Sequence, residues 1–221
     1  MGIREDDRQR KAYGKAWEAG LRPAIKGRGW RKYWSSISRQ DGPWFICAEC
    51  VLLWPTRRLQ FLLQAKPMTL DPLLWKIIGA KDNETEPLSF RKWGAFICEA
   101  PTLAESIVDC GAPEQMASDF VQFAMSERSS ILRELSSRPF SDVLAEKADP
   151  FGMLSTTKVV SLLDERKYED AISFLNGKYE KGVSINVVRP DAEGHARSAS
   201  FFDLARDYAL SAKEPMTAET A

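Results

Sequence analysis

"WFICAECVLLW", residues 44–54, decides how the rest of the chain is read. It is a run of aromatic, β-branched and other apolar residues interrupted only by Glu49 and closed by Pro55, and so predicts a strand. It also contains Cys47-x-x-Cys50, the spacing of zinc clips and thioredoxin-like redox sites. The strand reading excludes both. Side chains alternate faces along a strand, so positions three apart point to opposite sides. Thiols placed that way cannot share a metal ion or close a disulfide without a bulge. Convergent cysteine pairs sit on turns or helix starts, and no glycine or proline interrupts this run. Cys47 and Cys50 are therefore expected in the core, as free cysteines usually are.

Two more strands flank it. "KYWSSISRQ" (32–40) precedes it across the turn signal "DGP", and "RRLQFLLQAK" (57–66) follows Pro55. Links this short predict an antiparallel meander. "LSFRKWGAFICEA" (88–100) reads as a fourth strand, bulged at Gly94, and "VSINVVRP" (183–190) as a fifth that rejoins the sheet. Upstream, Tyr13, Trp17, Leu21 and Ile25 fall on one helical stripe that Pro23 kinks. Between the strands, "DPLLWKIIG" (71–79) has the marks of a short helix, with Asp71 as cap, Pro72 in the first turn and Gly79 as stop.

Beyond residue 100 the pattern turns helical. "TLAES" (102–106) has the form of a capping box, Thr102 with Glu105 three later. Pro113 opens an amphipathic stretch to about Ser137, with Phe120, Phe123, Ile131 and Leu135 inward. A short helix at 141–148, a helical hairpin at 155–182 and a last helix at 198–213 complete the set. The expected fold is α+β: an N-terminal helix, an antiparallel sheet of about four to five strands and a helical C-terminal half. The expected organisation is a charged segment 1–12, a helix-plus-sheet part 13–100, a mainly helical part 101–213 in the same domain, and a disordered tail 214–221.

The totals narrow the function. In 221 residues, 31 lysines and arginines balance 31 acids, and the formal net charge is zero. Bulk charge therefore cannot hold long nucleic acid, although a local patch can. No run approaches a membrane span, and "MGIREDDRQRK" lacks the apolar core of a signal peptide. Asp6 stands where a myristoylation signal needs Ser or Thr. With four cysteines at this length, the expectation is a cytoplasmic protein with reduced thiols. No P-loop, dinucleotide fingerprint, nucleophile elbow or His-Glu-x-x-His occurs. No cofactor, metal site or catalytic residue is expected. The single histidine, His195, lies in "PDAEGHARS" and reads as a solvent-facing loop residue.

Three features remain as binding candidates. "RPAIKGRGWRKYW" (22–34) sets Arg28, Arg31 and Lys32 among Trp30, Tyr33 and Trp34, and no acid occurs from Ala19 to Gln40. Basic groups interleaved with aromatics grip phosphates and stack on bases; the same residues also suit a helix C-terminus followed by a core strand. Trp75, on the short helix, either projects as a docking feature or covers the sheet. The acids Asp82, Glu84 and Glu86 are either solvated surface or a face for a basic partner.

"AWEAGLRPAIKGRGWRKYWSSISR" (16–39) followed by "WFICAECVLLW" resembles a family of small bacterial cytosolic proteins of unknown activity. In these a helix runs into a Gly-aromatic-basic turn and then an antiparallel sheet. The resemblance covers roughly residues 13–100 and conveys no catalytic residue. Members often sit among the immunity proteins of polymorphic toxin systems. It implies a non-enzymatic protein that binds and neutralises a toxin domain. The alternatives are a nucleic-acid-binding accessory protein acting through 22–34, and an enzyme using His195 with a distant cysteine or carboxylate.

Overall fold

A computed structural model describes residues 3–177, 186–190 and 196–213. The chain divides into two compact units, Met1–Ala65 with Thr102–Ser137, and Lys66–Pro101 with Arg138–Ala221. The architecture is α+β, with the expected N-terminal helix, antiparallel sheet and helical C-terminal half.

The first unit begins with α1 (Ile3–Ile25), which absorbs most of the segment read as a charged lead-in. Its early turns are held by Glu5–Arg8, Asp7–Arg10 and Asp7–Lys11 pairs at helical spacing. Pro23 sits in the last turn. The sheet is a meander in the order β1 (Arg31–Tyr33), β2 (Ser36–Asp41), β3 (Trp44–Leu53), β4 (Arg58–Pro67), β5 (Thr102–Asp109). The last helix of the unit is α4 (Pro113–Leu135), numbered after two helices of the second unit. Trp17 of α1 meets Phe120 of α4 at 5.5 Å, and Phe120 meets Phe61 of β4 edge-on at 5.2 Å. Gly20 permits the close approach of α1 to α4: a Cβ there would lie 3.0 Å from the Glu114 Cα.

Two expectations change here. The strand read at 32–40 is a hairpin, β1 and β2, with Tyr33 paired to Ser36 across Trp34 and Ser35. Turn-forming glycine or asparagine, the usual signal, is absent. The capping-box stretch 102–106 opens β5, not a helix, because pairing with β4 from Arg58–Asp109 onward overrides the local pattern. Burial along 104–109 has the two-residue period of a strand, but Ser106 occupies the inner side and Ile107 the outer, which hides it. As expected, Cys47 and Cys50 lie buried on continuous β3 and form no disulfide.

The second unit contains α2 (Leu70–Ile78), a 3-10 turn (Lys81–Thr85) and the single turn α3 (Phe90–Trp93). It continues with α5 (Phe140–Ala145), α6 (Ser155–Asp164), α7 (Tyr168–Gly177), β6 (Asn186–Pro190), β7 (Ala196–Ser200) and α8 (Phe201–Lys213). Leu74, Trp75, Ile77 and Ile78 make α2 its buried centre, against α6 and α8. Gly79 closes α2 in the left-handed region, as expected, but the cap position is Thr69, and Asp71 lies inside the first turn. The strand expected at 88–100 is absent: α3 and irregular backbone stand there. Side chains take up its carbonyls, with Lys66 donating to Arg91 and Cys98 and Trp75 to Phe96. The strand expected at 183–190 is β6, described from Asn186, and it pairs with β7 in a separate two-stranded sheet instead of rejoining the meander. The last helix starts at Phe201, three residues later than expected, because β7 takes up Ser198–Ser200. Residues 178–185 and the expected disordered tail lie outside the described residues.

Candidate functional site

In the second unit, Lys66 and Asp71 are both fully buried and form an ion pair of 2.8 Å. Lys66 Nζ also donates to the Arg91 carbonyl at 2.7 Å and to the Cys98 carbonyl. The other Asp71 oxygen accepts from Arg91 Nη1 at 3.1 Å, and Oδ1 accepts the Cys98 amide at 2.8 Å. Arg91 in turn donates to the Met68 carbonyl and lies over the Trp75 ring. Trp75 does not project as a docking feature, one of its two expected readings: it is 2% exposed and gives its indole N–H to the Phe96 carbonyl at 2.6 Å. Such bonds convert irregular backbone into a fixed platform.

The platform displays charge and rings. Asp82, Glu84 and Glu86 are all exposed on or beside the 3-10 turn. Asn83 links that turn to the Ala95 carbonyl. Trp93 and Phe96 are 39% and 37% exposed, and Phe96 has a φ of 56°. A large residue in the left-handed region carries strain, a feature that collects at functional sites. Acids and aromatics therefore share the segment 81–97. Only the acids were legible in sequence, because Trp93 and Phe96 read as strand residues.

The basic segment of the first unit sorts into two sets. Trp30 is buried, with the Arg39 guanidinium over its ring at 5.6 Å. Lys32 is half-buried and pairs with Glu18 at 3.6 Å. Arg28 and Arg31 are exposed, and Arg28 reaches Met125 Sδ. Trp34 is 64% exposed at the hairpin tip, has a φ of 49°, and stacks on Tyr33 with centroids 5.1 Å apart. A strand running through 32–40 gives no reason to separate Trp34 from its neighbours; the tight turn at 34–35 does.

A third cluster has the residue types of a nucleophile and its base. Ser141 Oγ donates to Glu165 Oε2 at 2.5 Å, and Lys167 Nζ donates to Ser141 Oγ at 2.8 Å. Burial opposes the Glu165 charge, but bonds from the Ser141 hydroxyl and amide and from Lys167 outweigh it and hold the carboxyl below its ordinary range. The bond to Glu165 holds Lys167 above its own. The carboxylate is thus a weak base and the amine stays protonated, the reverse of nucleophile activation. The cluster caps the start of α5, with the Ser141 amide on Glu165 Oε1 at 2.8 Å.

Burial pushes the Cys50 thiol up to about 12, with the charges of Cys110 and Glu49 adding to it. Cys98 is pushed well above its ordinary value, first by burial and then by Asp71. These groups remain thiols at neutral pH. An open groove of ≈ 360 Å³ is lined by Leu73, Asp164, Arg166, Tyr168 and Tyr208. Among the described residues no cluster of three or more His, Cys, Asp or Glu is placed to hold a metal ion. Among them, too, no helix is long and apolar enough to cross a membrane. His195 lies outside the described residues.

Comparison of the chain with protein-family models, with curated proteins and with solved structures gives no match.

Proposed function

We propose that this chain is a non-enzymatic protein-binding module and that it docks its partner on the segment 81–97. The observation that carries this reading is the joint exposure of Asp82, Glu84, Glu86, Trp93 and Phe96 on backbone pinned by the buried Lys66–Asp71–Arg91 network. Aromatic anchors supply the contact energy of an interface, and a rigid support spares the ordering cost. The carboxylates select a basic partner and speed its approach. The immunity role implied by the sequence resemblance gives the reading its particular form: the partner is a basic toxin domain, and the complex blocks it.

The test is affinity capture from the native host under nuclease treatment, with the parent chain and a D82K/E84K/E86K variant side by side. The expected result is one stoichiometric basic protein, held less tightly at high salt and lost from the variant. Equal capture by the charge-reversed chain, or no stoichiometric protein, overturns the proposal.

A further inference from the structure

We infer that the hairpin tip of the first unit is a stacking platform for single-stranded nucleic acid, separate in chemistry from the acidic segment. The argument starts with Trp34. A two-residue hairpin turn with positive φ favours glycine, asparagine or aspartate, yet a tryptophan occupies it and stays mostly exposed. Neither turn geometry nor burial explains the choice. Tyr33 lies against it in a nearly parallel stack, 26° between planes, so the mostly exposed Trp34 ring is braced from one side in an arrangement that a base can extend.

Charge then identifies the occupant. Arg31 is two residues from Tyr33 on β1, and so on the same side of the strand. Arg22, Lys26 and Arg28 are exposed on the chain leading to it, and no acid occurs in sequence between Glu18 and Asp41, the acid set nearest the turn by strand pairing being Glu49, opposite Ser36. Rings that stack on a base, with cations spaced along the same segment for the flanking phosphates, make the sequence-tolerant grip of single-strand binders. A duplex keeps its base faces stacked inside and cannot use the platform. The zero net charge means that binding rests on these few contacts, so it is modest in strength and salt-sensitive.

The probe is a fluorescently labelled oligothymidine about twelve nucleotides long, titrated with the full chain and read by anisotropy and tryptophan quenching. Binding is expected, with a log–log salt slope of about −2, as for roughly three neutralised phosphates on a single strand. Trp34→Gly should weaken it roughly tenfold, within the range of a lost base stack. The same variant should keep or raise the melting temperature, because glycine suits the turn. That result separates lost binding from lost folding. Arg28→Glu with Arg31→Glu should weaken binding and flatten the salt slope. The inference falls if the parent does not bind, if Trp34→Gly binds as well as the parent, or if a duplex of equal length binds as tightly as the single strand.

Discussion

Lys66 is a buried ammonium whose bonds hold together residues far apart in sequence. Its acceptors are Asp71, Arg91 and Cys98, and none of these pairings has a local pattern. That is why Asp71 read as a helix cap and Cys98 as part of a strand. Removing one partner from a buried pair leaves an uncompensated charge, which is costlier than the pair itself is stabilising. Asp71→Ala is therefore expected to lower unfolding stability in urea by about 3–5 kcal/mol. Lys66→Met combined with Asp71→Leu removes both fully buried charges and leaves only the part-exposed Arg91 without its carboxylate, so it is expected to cost less than the single variant; if the two cost the same, the charge argument fails. Cys50 gives a second test. Its thiol is raised from 9.0 to about 12 in the folded chain, chiefly by burial. Between those values the unfolded chain releases a proton that the folded chain keeps. Stability from this residue is complete below about pH 9 and falls as pH rises toward 12. Cys50→Ala should reduce the loss of melting temperature on going to alkaline pH; an unchanged slope would assign that loss to other groups.

At the scale of elements, legibility followed locality. The long helix α4, the strands β3 and β4 and the stop of α2 at Gly79 were readable because periodicity and end signals coincide there. Residues 88–109 carry the local pattern of a strand and then of a helix, and the backbone follows neither. Their backbone is set by partners elsewhere, Lys66 and Trp75 in one case and β4 in the other. The candidate surfaces were half legible: the charges stood out, but which tryptophans are buried depends on turns that local signals do not mark. The link from α6 to α7 shows the same concealment. Arg166 has a φ of 58°, while its amide bonds the Leu163 carbonyl and the Lys167 amide bonds Leu162. That is a Schellman closure with arginine at the position glycine prefers. Arg166→Gly should raise stability by about 0.5–1 kcal/mol, the difference between left-handed strain and glycine's greater unfolded entropy. A fall of similar size in a denaturant midpoint would mean that the arginine side chain contributes more than its backbone costs.

The molecule as a whole is neutral only in its sum. The basic, acid-free run 19–40 belongs to the first unit and the acids 82–86 to the second, so a zero total conceals two surfaces of opposite character. The units also interleave along the chain: the second contains residues on both sides of β5 and α4. A division near residue 100, where the sequence changes from strand-like to helical, does not separate them, and neither does any other single cut. This bears on truncation. A fragment ending at Ser137 contains every residue of the first unit, but it also carries 66–101 without α5 to α8. Leu70, Leu74, Trp75, Ile77 and Ile78 of α2 are buried in the full chain, against α6 and α8 among others. Exposing them forfeits on the order of 10 kcal/mol of apolar burial. The fragment 1–137 is therefore expected to aggregate, or to bind a hydrophobic dye strongly and melt without a cooperative transition. A soluble, monomeric 1–137 with one sharp melt would mean that α2 needs none of the later helices and that the second unit is not a cooperative body.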